Sequence, residues 1–351
     1  MLFEEVRGEA RFDPAGLMTH PPFTQSYAYG EWQRAAGRTV RRFIGIRDGA
    51  CVATLQLVQF PLLAGRSYFY APYGPIVKEG GGGDVVRALY DTARDIGRGG
   101  TAFVRFDFSP PLQGDSLRSA EGMFRRAPRA TYHASSAQPR AEWVLNLAQS
   151  EEELFRGMHH NTRYSIRAAE RRGVRTETVG APLLTEHFDE FYKLMEETAA
   201  RDGFFLHSRR YYEAAFRVSA EAGNAFLIFA RHEAALLAAH FIVLYGGQAH
   251  FVFGGSSSAQ RELFGSYAAQ WMAIREAKSR GATRYNFGGV SSGLPAGRQA
   301  RDVRGNWEGL SNFKRKFGGT LLSHSPFFDF AGNRFWYYAY VTRKYFQSLW
   351  R

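Results

Sequence analysis

The chain has 351 residues, with 45 Lys and Arg against 33 Asp and Glu and a net charge of +12. The length points to two domains, and the charge to a polyanionic partner: nucleic acid, an anionic membrane face or a phosphorylated substrate. Solubility in an arginine-rich proteome is the plainer reading. No apolar run reaches the roughly 20 residues that span a bilayer. The start, Met1–Pro14, is acidic and broken by charge, unlike a secretory signal, so the chain is read as cytoplasmic. The single cysteine, Cys51, excludes an intramolecular disulfide and a thiolate metal cluster, and reads as inert core in an apolar strand.

The elements read as mixed α and β. A helix pattern covers Ser26 to about Ala36. Strand patterns follow at Val40–Arg47 and Cys51–Phe60, joined by a turn at Asp48-Gly49. Arg66–Ala71 is a strand pattern running into the turn Pro72–Pro75. Gly80–Gly83 reads as a loop before an amphipathic helix from Asp84 to about Gly97. Ala102–Phe108 reads as a buried strand leading into a Pro/Gly-rich loop, Pro110–Ser116. A boundary falls near residues 140–150. Beyond it, Trp143–Leu147 is a strand pattern, and Ser150 with Glu151–Glu153 reads as a helix cap with acids in the first turn. A basic helix runs to about Arg172 and stops at Gly173. Strand near Val174–Thr178, helices Leu184–Arg201 and Arg209–Glu221, strands Ala225–Arg231, Leu236–Tyr245 and Gln248–Gly254, helix Gly265–Ser279 and strand Arg284–Phe287 complete this half. Helix, paired antiparallel strands, helix, strand appears twice, which suits two N-acetyltransferase-type units. The aromatic tail, Phe327–Arg351, is expected to pack back on the first domain; membrane contact is its second reading.

The most chemically informative stretch is Asn286–Val290 together with Gly309–Gly319. Two glycine-marked turns and two phenylalanines frame a lysine cluster. The apolar frame points to an ammonium held against a pocket, where a cation stabilises developing negative charge. Metal chemistry has no support, because the histidines lack ligand spacing and His159-His160 diverge on a helix. No nucleophile elbow, P-loop or dinucleotide fingerprint appears, and Gly80–Gly83 lacks the following Lys and Ser/Thr. Gln260–Tyr267 carries an Arg, a Gly and a helix start, but its spacing departs from a coenzyme A pyrophosphate loop. The helix His159–Arg172 puts Arg163, Arg167 and Arg171 on one face, which fits RNA phosphates or a solvated face equally. Arg201 and Arg209 are each able to clamp a diphosphate, although Arg201 taken alone reads first as a helix-end charge.

These segments together resemble the FemABX family of peptidoglycan interpeptide-bridge aminoacyltransferases. The likeness runs through Gln25-Ser26 with Gly30–Arg34, Tyr70–Ile76, Arg105–Asp107, Gln138–Arg140, Thr162–Val174, Thr198–Phe204, Phe251–Ser256 and the closing Asn286–Val290 and Gly309–Gly319. The resemblance implies two tandem GNAT-like domains: residues 1–147 plus about 320–351, binding the acceptor, and residues 148–319, holding the tRNA end and the catalytic lysine. No charged heptad insertion is present, so the resemblance is to a form without a coiled-coil arm. The implied reaction moves an amino acid from aminoacyl-tRNA to the side-chain amine of the third residue of a muramyl peptide. The acceptor is UDP-MurNAc-pentapeptide or its lipid-linked form, with no metal or cofactor and with peripheral contact at the inner membrane face. An acyl-coenzyme A-dependent N-acyltransferase on the same fold is the alternative.

By resemblance, Lys314, in the segment Phe313-Lys314, stabilises the tetrahedral intermediate and the tRNA 3′ end, with Lys316 as the nearby alternative. Asp107 orients the acceptor amine or takes its proton. Arg34, or Gln33 beside it, holds the diphosphate. Arg201 makes a second phosphate contact, with Arg209 in reserve. Tyr70, Phe251 and Phe253 meet the substrate; the last two stand where the family often has Tyr-x-Tyr, so stacking remains without the hydroxyls. Arg163, Arg167 and Arg171 bind tRNA, and the two glycine turns let RNA or peptide approach the backbone.

Overall fold

In the computed structural model the Asp48-Gly49 turn closes the first hairpin with both residues at positive φ, 50° and 77°. That geometry matches the right-handed twist of the strands it joins. The structure describes residues 1–78, 83–128, 131, 138–291 and 307–349. The expected loop at Gly80–Gly83 lies outside these residues except for Gly83. The chain divides into two units, residues 1–140 with 323–351 and residues 141–322.

The first unit runs β1 (Leu2–Val6), α1 (Tyr27–Ala35), β2 (Val40–Arg47), β3 (Ala50–Pro61), β4 (Ser67–Ala71), β5 (Ile76–Val77), α2 (Gly83–Arg98), β6 (Val104–Phe106), α3 (Gly114–Met123) and β7 (Arg125–Arg126). The second runs β8 (Ala141–Asn146), α4 (Glu151–Gly157), α5 (His160–Arg171), β9 (Arg175–Gly180), α6 (Phe188–Asp202), α7 (Arg209–Ala222), β10 (Ala225–His232), β11 (Ala235–Tyr245), β12 (Gln248–Ser256), α8 (Gly265–Ser279), β13 (Arg284–Gly289), α9 (Trp307–Arg315) and β14 (Thr320–Ser323). The tail, β15 (Phe328–Phe330) and α10 (Arg334–Leu349), returns to the first unit.

The repeat is architectural. Each unit has an antiparallel meander of three strands, a helix, and a strand parallel to the third: β2-β3-β4, α2, β6 in one and β10-β11-β12, α8, β13 in the other. The sheet orders are β1-β2-β3-β4-β6-β15-β7, with β5 beside β3, and β14-β8-β13-β12-β11-β10-β9. Beyond its parallel strand each sheet is completed by two strands from elsewhere in the chain. Among the described residues the longest helices, α2 and α10, have 16 residues, and none is long and apolar enough to cross a membrane.

Three local expectations change. Cys51 is exposed, because it sits beside the hairpin turn, in the last two pairs beyond the register shift at Gly45/Ile46. The Pro110–Ser116 loop ends early, since α3 starts at Gly114. The helix expected from Leu184 starts at Phe188, after a single 3-10 turn at Ala181–Leu183 with Pro at its start. The Ser150 cap forms in full: Ser150 Oγ accepts from the Glu153 N–H, and Glu153 accepts from the Ser150 N–H.

Strand β6 is buried on both faces, as a strand inside a mixed sheet requires, yet it carries a charge. Arg105 is 2% exposed and makes two 2.7 Å bonds to the carboxylate of Asp329, its partner across β15. Thr131 Oγ1 accepts from the guanidinium and Tyr337 OH donates to Asp329. Burial opposes the guanidinium charge, and Asp329 overrides it, leaving Arg105 more firmly protonated than usual. Removing one partner strands the other. Asp329→Asn is therefore expected to lower the unfolding free energy of the first unit by about 3–5 kcal/mol, read from denaturant midpoints. Arg105→Met with Asp329→Leu should recover most of that loss. A single variant as stable as the native chain would show that the pair does not hold the tail.

Candidate active site

The first unit builds its acid around the end of β6. Asp107 has no exposed surface. Its Oδ2 accepts from Tyr70 OH at 3.0 Å and its Oδ1 from Arg140 Nη1 at 2.6 Å. Tyr70 pairs with Arg105 across β4 and β6, which brings its hydroxyl to the acid. That hydroxyl in turn accepts from the Gln138 N–H at 3.2 Å. Burial pushes the Asp107 carboxyl up, while Arg140, His324 and Tyr70 oppose the shift. Tyr70 itself is 1% exposed, with its ring against Phe60 and Phe327. Its hydroxyl serves Asp107. Arg140 and His324 were not singled out from sequence. Arg140 lay inside the Gln138–Arg140 segment but carried no signal of its own. His324, stacked on Tyr73 at 4.0 Å, reaches the acid only because the tail folds back.

The second unit builds its cation against the Gly288-Gly289 turn. Asn286 Oδ1 accepts from the Gly288 N–H at 2.7 Å, and Gly288 takes φ 75°, which favours a residue without Cβ. The Gly289 carbonyl is thereby aimed at α9, where Lys314 Nζ donates to it at 2.7 Å. Lys314 is 5% exposed. Burial pulls its pKa down to about 8, with Glu142 opposing. Lys314 therefore remains substantially charged near neutrality in a site with little water. A cation so placed can stabilise an oxyanion strongly.

The other turn has a different use. A Cβ at Gly319 would lie 2.4 Å from the Val144 carbonyl oxygen. Trp143 Nε1 donates to the Gly318 carbonyl at 2.6 Å. Gly318-Gly319 thus lets α9 close against β8 of its own unit. Phe313 packs its ring against Tyr267 and Phe317 at the edge of the core and so anchors α9 beside Lys314. Lys316 lies two residues beyond Lys314, half-buried.

The arginines divide. Arg34 donates to Glu31 and to the Val40 carbonyl, and Gln33 beside it is buried and accepts from Arg38. Arg201 forms a two-pronged pair with Asp202 and donates to the Ser256 carbonyl at 2.6 Å and to Ser256 Oγ. It ties the end of α6 to the end of β12, the helix-end reading. Arg209 is held by Glu213 and Asp189 over the rings of Phe188 and Tyr192. Arg163 donates to the Arg156 and Met158 carbonyls and so closes the end of α4. Arg167 is exposed over the Phe155 ring at 5.0 Å, and Arg171 is exposed. Of the three arginines expected on one face of α5, Arg163 is engaged with carbonyls of the chain, and Arg167 and Arg171 are exposed.

Phe251 and Phe253 do not form a common stacking platform. The register shift opposite Val252 pairs Phe253 with Phe241 and Phe251 with Ile242, which turns them to opposite faces. Phe253 packs on Tyr212 of α7 at 4.8 Å. Phe251 packs with the cluster around α8, its ring 4.6 Å from His240. The start of α8 is also spoken for: a Cβ at Gly265 would meet Leu237 Cβ at 2.5 Å, so this glycine seats the helix on β11.

A family model described as "FemAB family" matches residues 129–231 and 224–344. Lipid II:glycine glycyltransferase of Staphylococcus aureus (strain USA300) is 21% identical over 396 residues, covering 91% of this chain and 91% of that protein. The same-named protein of Staphylococcus aureus (strain Mu50 / ATCC 700699) has the same identity and coverage. Among solved structures, the crystal structure of FemX superposes with a TM-score of 0.81 at 18% identity, over 97% of this chain and 100% of that one. A tandem GNAT protein from the clavulanic acid biosynthesis pathway has a TM-score of 0.51 at 16% identity, over 84% of each chain. The fold is two tandem GNAT-like domains.

The buried lysine makes a checkable statement about stability. Below pH 8 Lys314 is protonated in both folded and unfolded chains, and its desolvation cost is fully present. Between about 8 and its ordinary value of 10.5 the unfolded chain binds the extra proton, so stability contributed by this site rises with pH. The folding free energy of the native chain minus that of Lys314→Met should become more favourable by about 3 kcal/mol across this window. Urea midpoints measured as a function of pH read it, and a flat difference would mean that Lys314 titrates normally.

Proposed function

Because the chain belongs to the FemAB family, we propose that it is an aminoacyltransferase of peptidoglycan bridge synthesis. It moves an amino acid from aminoacyl-tRNA to the side-chain amine of the third residue of a precursor stem peptide. The relatives are named for glycyl transfer on lipid II, which supports a lipid-linked acceptor. The observation that carries the reading is Lys314, a buried ammonium bonded to the Gly289 carbonyl in the glycine turn.

The chemistry asks little of the protein beyond placement. The acceptor amine attacks the ester carbonyl carbon, a C–N bond forms, and the carbonyl electron pair moves onto oxygen. Collapse of the intermediate breaks the bond to the tRNA ribose, whose oxygen leaves with a proton, while the amine loses one. The ester is already activated, so orientation and oxyanion stabilisation can supply most of the rate. Lys314 keeps its proton and faces the developing oxyanion. Asp107, held by Tyr70 and Arg140, orients the acceptor amine or takes its proton. Arg167, Arg171 and Lys316 supply positive charge to the tRNA.

Lys314→Met should lower kcat by about 10²–10³-fold with little change in KM for the acceptor. The native enzyme should lose kcat/KM as pH rises through about 8, because the protonated lysine is the active form. Incubation with charged tRNAs and precursor, followed by mass spectrometry of the muramyl peptide, reads the product and its donor. Near-normal transfer by the variant removes Lys314 from this role. Stabilisation by acetyl-coenzyme A, with no mass gain from charged tRNA, would favour the acyl-coenzyme A alternative.

A further inference from the structure

The tail helix leaves a face that the proposed chemistry does not use. Tyr337 and Tyr340 of α10 turn inward onto Phe103 and Tyr68. The opposite side carries Phe335, Tyr338, Tyr345 and Phe346, which are 71%, 49%, 54% and 55% exposed. Their spacing of three, seven and one places all four on one stripe of the helix. Four large aromatics in one exposed stripe are far more than single scattered hydrophobes.

Charge surrounds this stripe and has one sign. From Arg334 to Leu349 there is no Asp or Glu. Arg334 and Arg343 project from its two edges, both exposed. Arg125 of β7 donates to Tyr338 OH at 3.1 Å. Arg66 lies over the Trp336 ring at 5.6 Å, on the same β3–β4 turn that exposes Leu63 at 57%. The acids on the neighbouring elements are neutralised: Asp329 by Arg105, Glu121 by Arg126 and Asp95 by Arg98. The result is a band of rings with tyrosine hydroxyls, rimmed by guanidinium groups.

We propose that the outward face of α10 docks the protein on an anionic lipid bilayer surface. The rings enter the headgroup–acyl boundary, where an aromatic body and a hydroxyl tip are both satisfied. The rim arginines pair with lipid phosphates. The cations flank the stripe and do not interrupt it, which fits shallow insertion of a flat helix better than a phosphodiester track, where cations would lie within the stripe. The inference deepens the proposed function, since it places a lipid-linked acceptor and the enzyme on one surface.

The binding measurement uses the full chain and no substrate. Sedimentation with phosphatidylcholine vesicles containing about 30 mol % phosphatidylglycerol, against phosphatidylcholine alone, measures partitioning. The native protein should sediment with the anionic vesicles, and Phe335→Ser with Phe346→Ser should reduce partitioning about tenfold. The double variant should keep its circular dichroism and its turnover of the soluble UDP-linked acceptor. Absence of vesicle binding, or equal binding by the variant, overturns the proposal. So does a dimer in sedimentation velocity that the double variant abolishes, which would give the face to a second copy, or variant-sensitive binding of uncharged tRNA. Because vesicle binding needs neither donor nor acceptor, its failure is distinct from failure of aminoacyl transfer.

Discussion

The pairing of β15 with β6 is the constraint on which the first unit depends. Strand β6 is buried on both sides and carries Arg105 and, just past its end, Asp107. Neither charge is tolerable there alone, since an unpaired buried ion costs several kcal/mol. Asp329 arrives from the tail to meet the first, and Arg140, the last residue before the second unit, meets the second. The chain must therefore pass through the whole of residues 141–322 before the first sheet is complete. The fold and the acid site share one requirement: counter-charges supplied from distant parts of the sequence.

Lys314 obeys a different rule. It is a buried ammonium that donates to the Gly289 carbonyl, and burial lowers its pKa while the Glu142 carboxylate opposes that shift. The carbonyl bond keeps the ammonium in place at a lowered pKa and leaves it able to respond to a new negative charge nearby. The conformation of Gly288 is what aims that carbonyl. A side chain there would strain the left-handed backbone, so the glycine and the lysine form one device.

Much of this was legible in the sequence, for identifiable reasons. Period-two alternation and the Asp48-Gly49 signal located β2 and β3 almost to the residue, and Gly265–Ser279 was bounded by a glycine and a polar end. Asn286–Val290 and Gly309–Gly319 already stood together in the sequence as a glycine turn and a lysine cluster, and the geometry joins them by a bond. What failed was non-local. A register shift at one residue, Val252, separates Phe251 from Phe253, and period-two reading cannot register a bulge. The short strands β7, β14 and β15 have too few residues for a pattern. Arg140 and His324 gain meaning only from Asp107, which lies far from them in sequence. Cys51 misled because apolar neighbours say nothing about where along a hairpin the core ends.

The arginines show why composition alone overstates binding. A net charge of +12 suggested several phosphate clamps, yet Arg34, Arg163, Arg201 and Arg209 already donate to acids or carbonyls. A guanidinium with two satisfied forks must give up those bonds to take a phosphate, so its net gain is the difference of two similar terms. Several of these contacts cap helix ends or tie a helix to a strand, which is structural work. The charge that remains uncommitted is better sought on exposed faces such as Arg167 and Arg171 of α5 and the rim of α10. There, long-range attraction to a polyanion adds up without dismantling the fold. The basic character of the chain is thus two populations, one holding elements together within each unit and one facing outward, and the second is the one available to a polyanion.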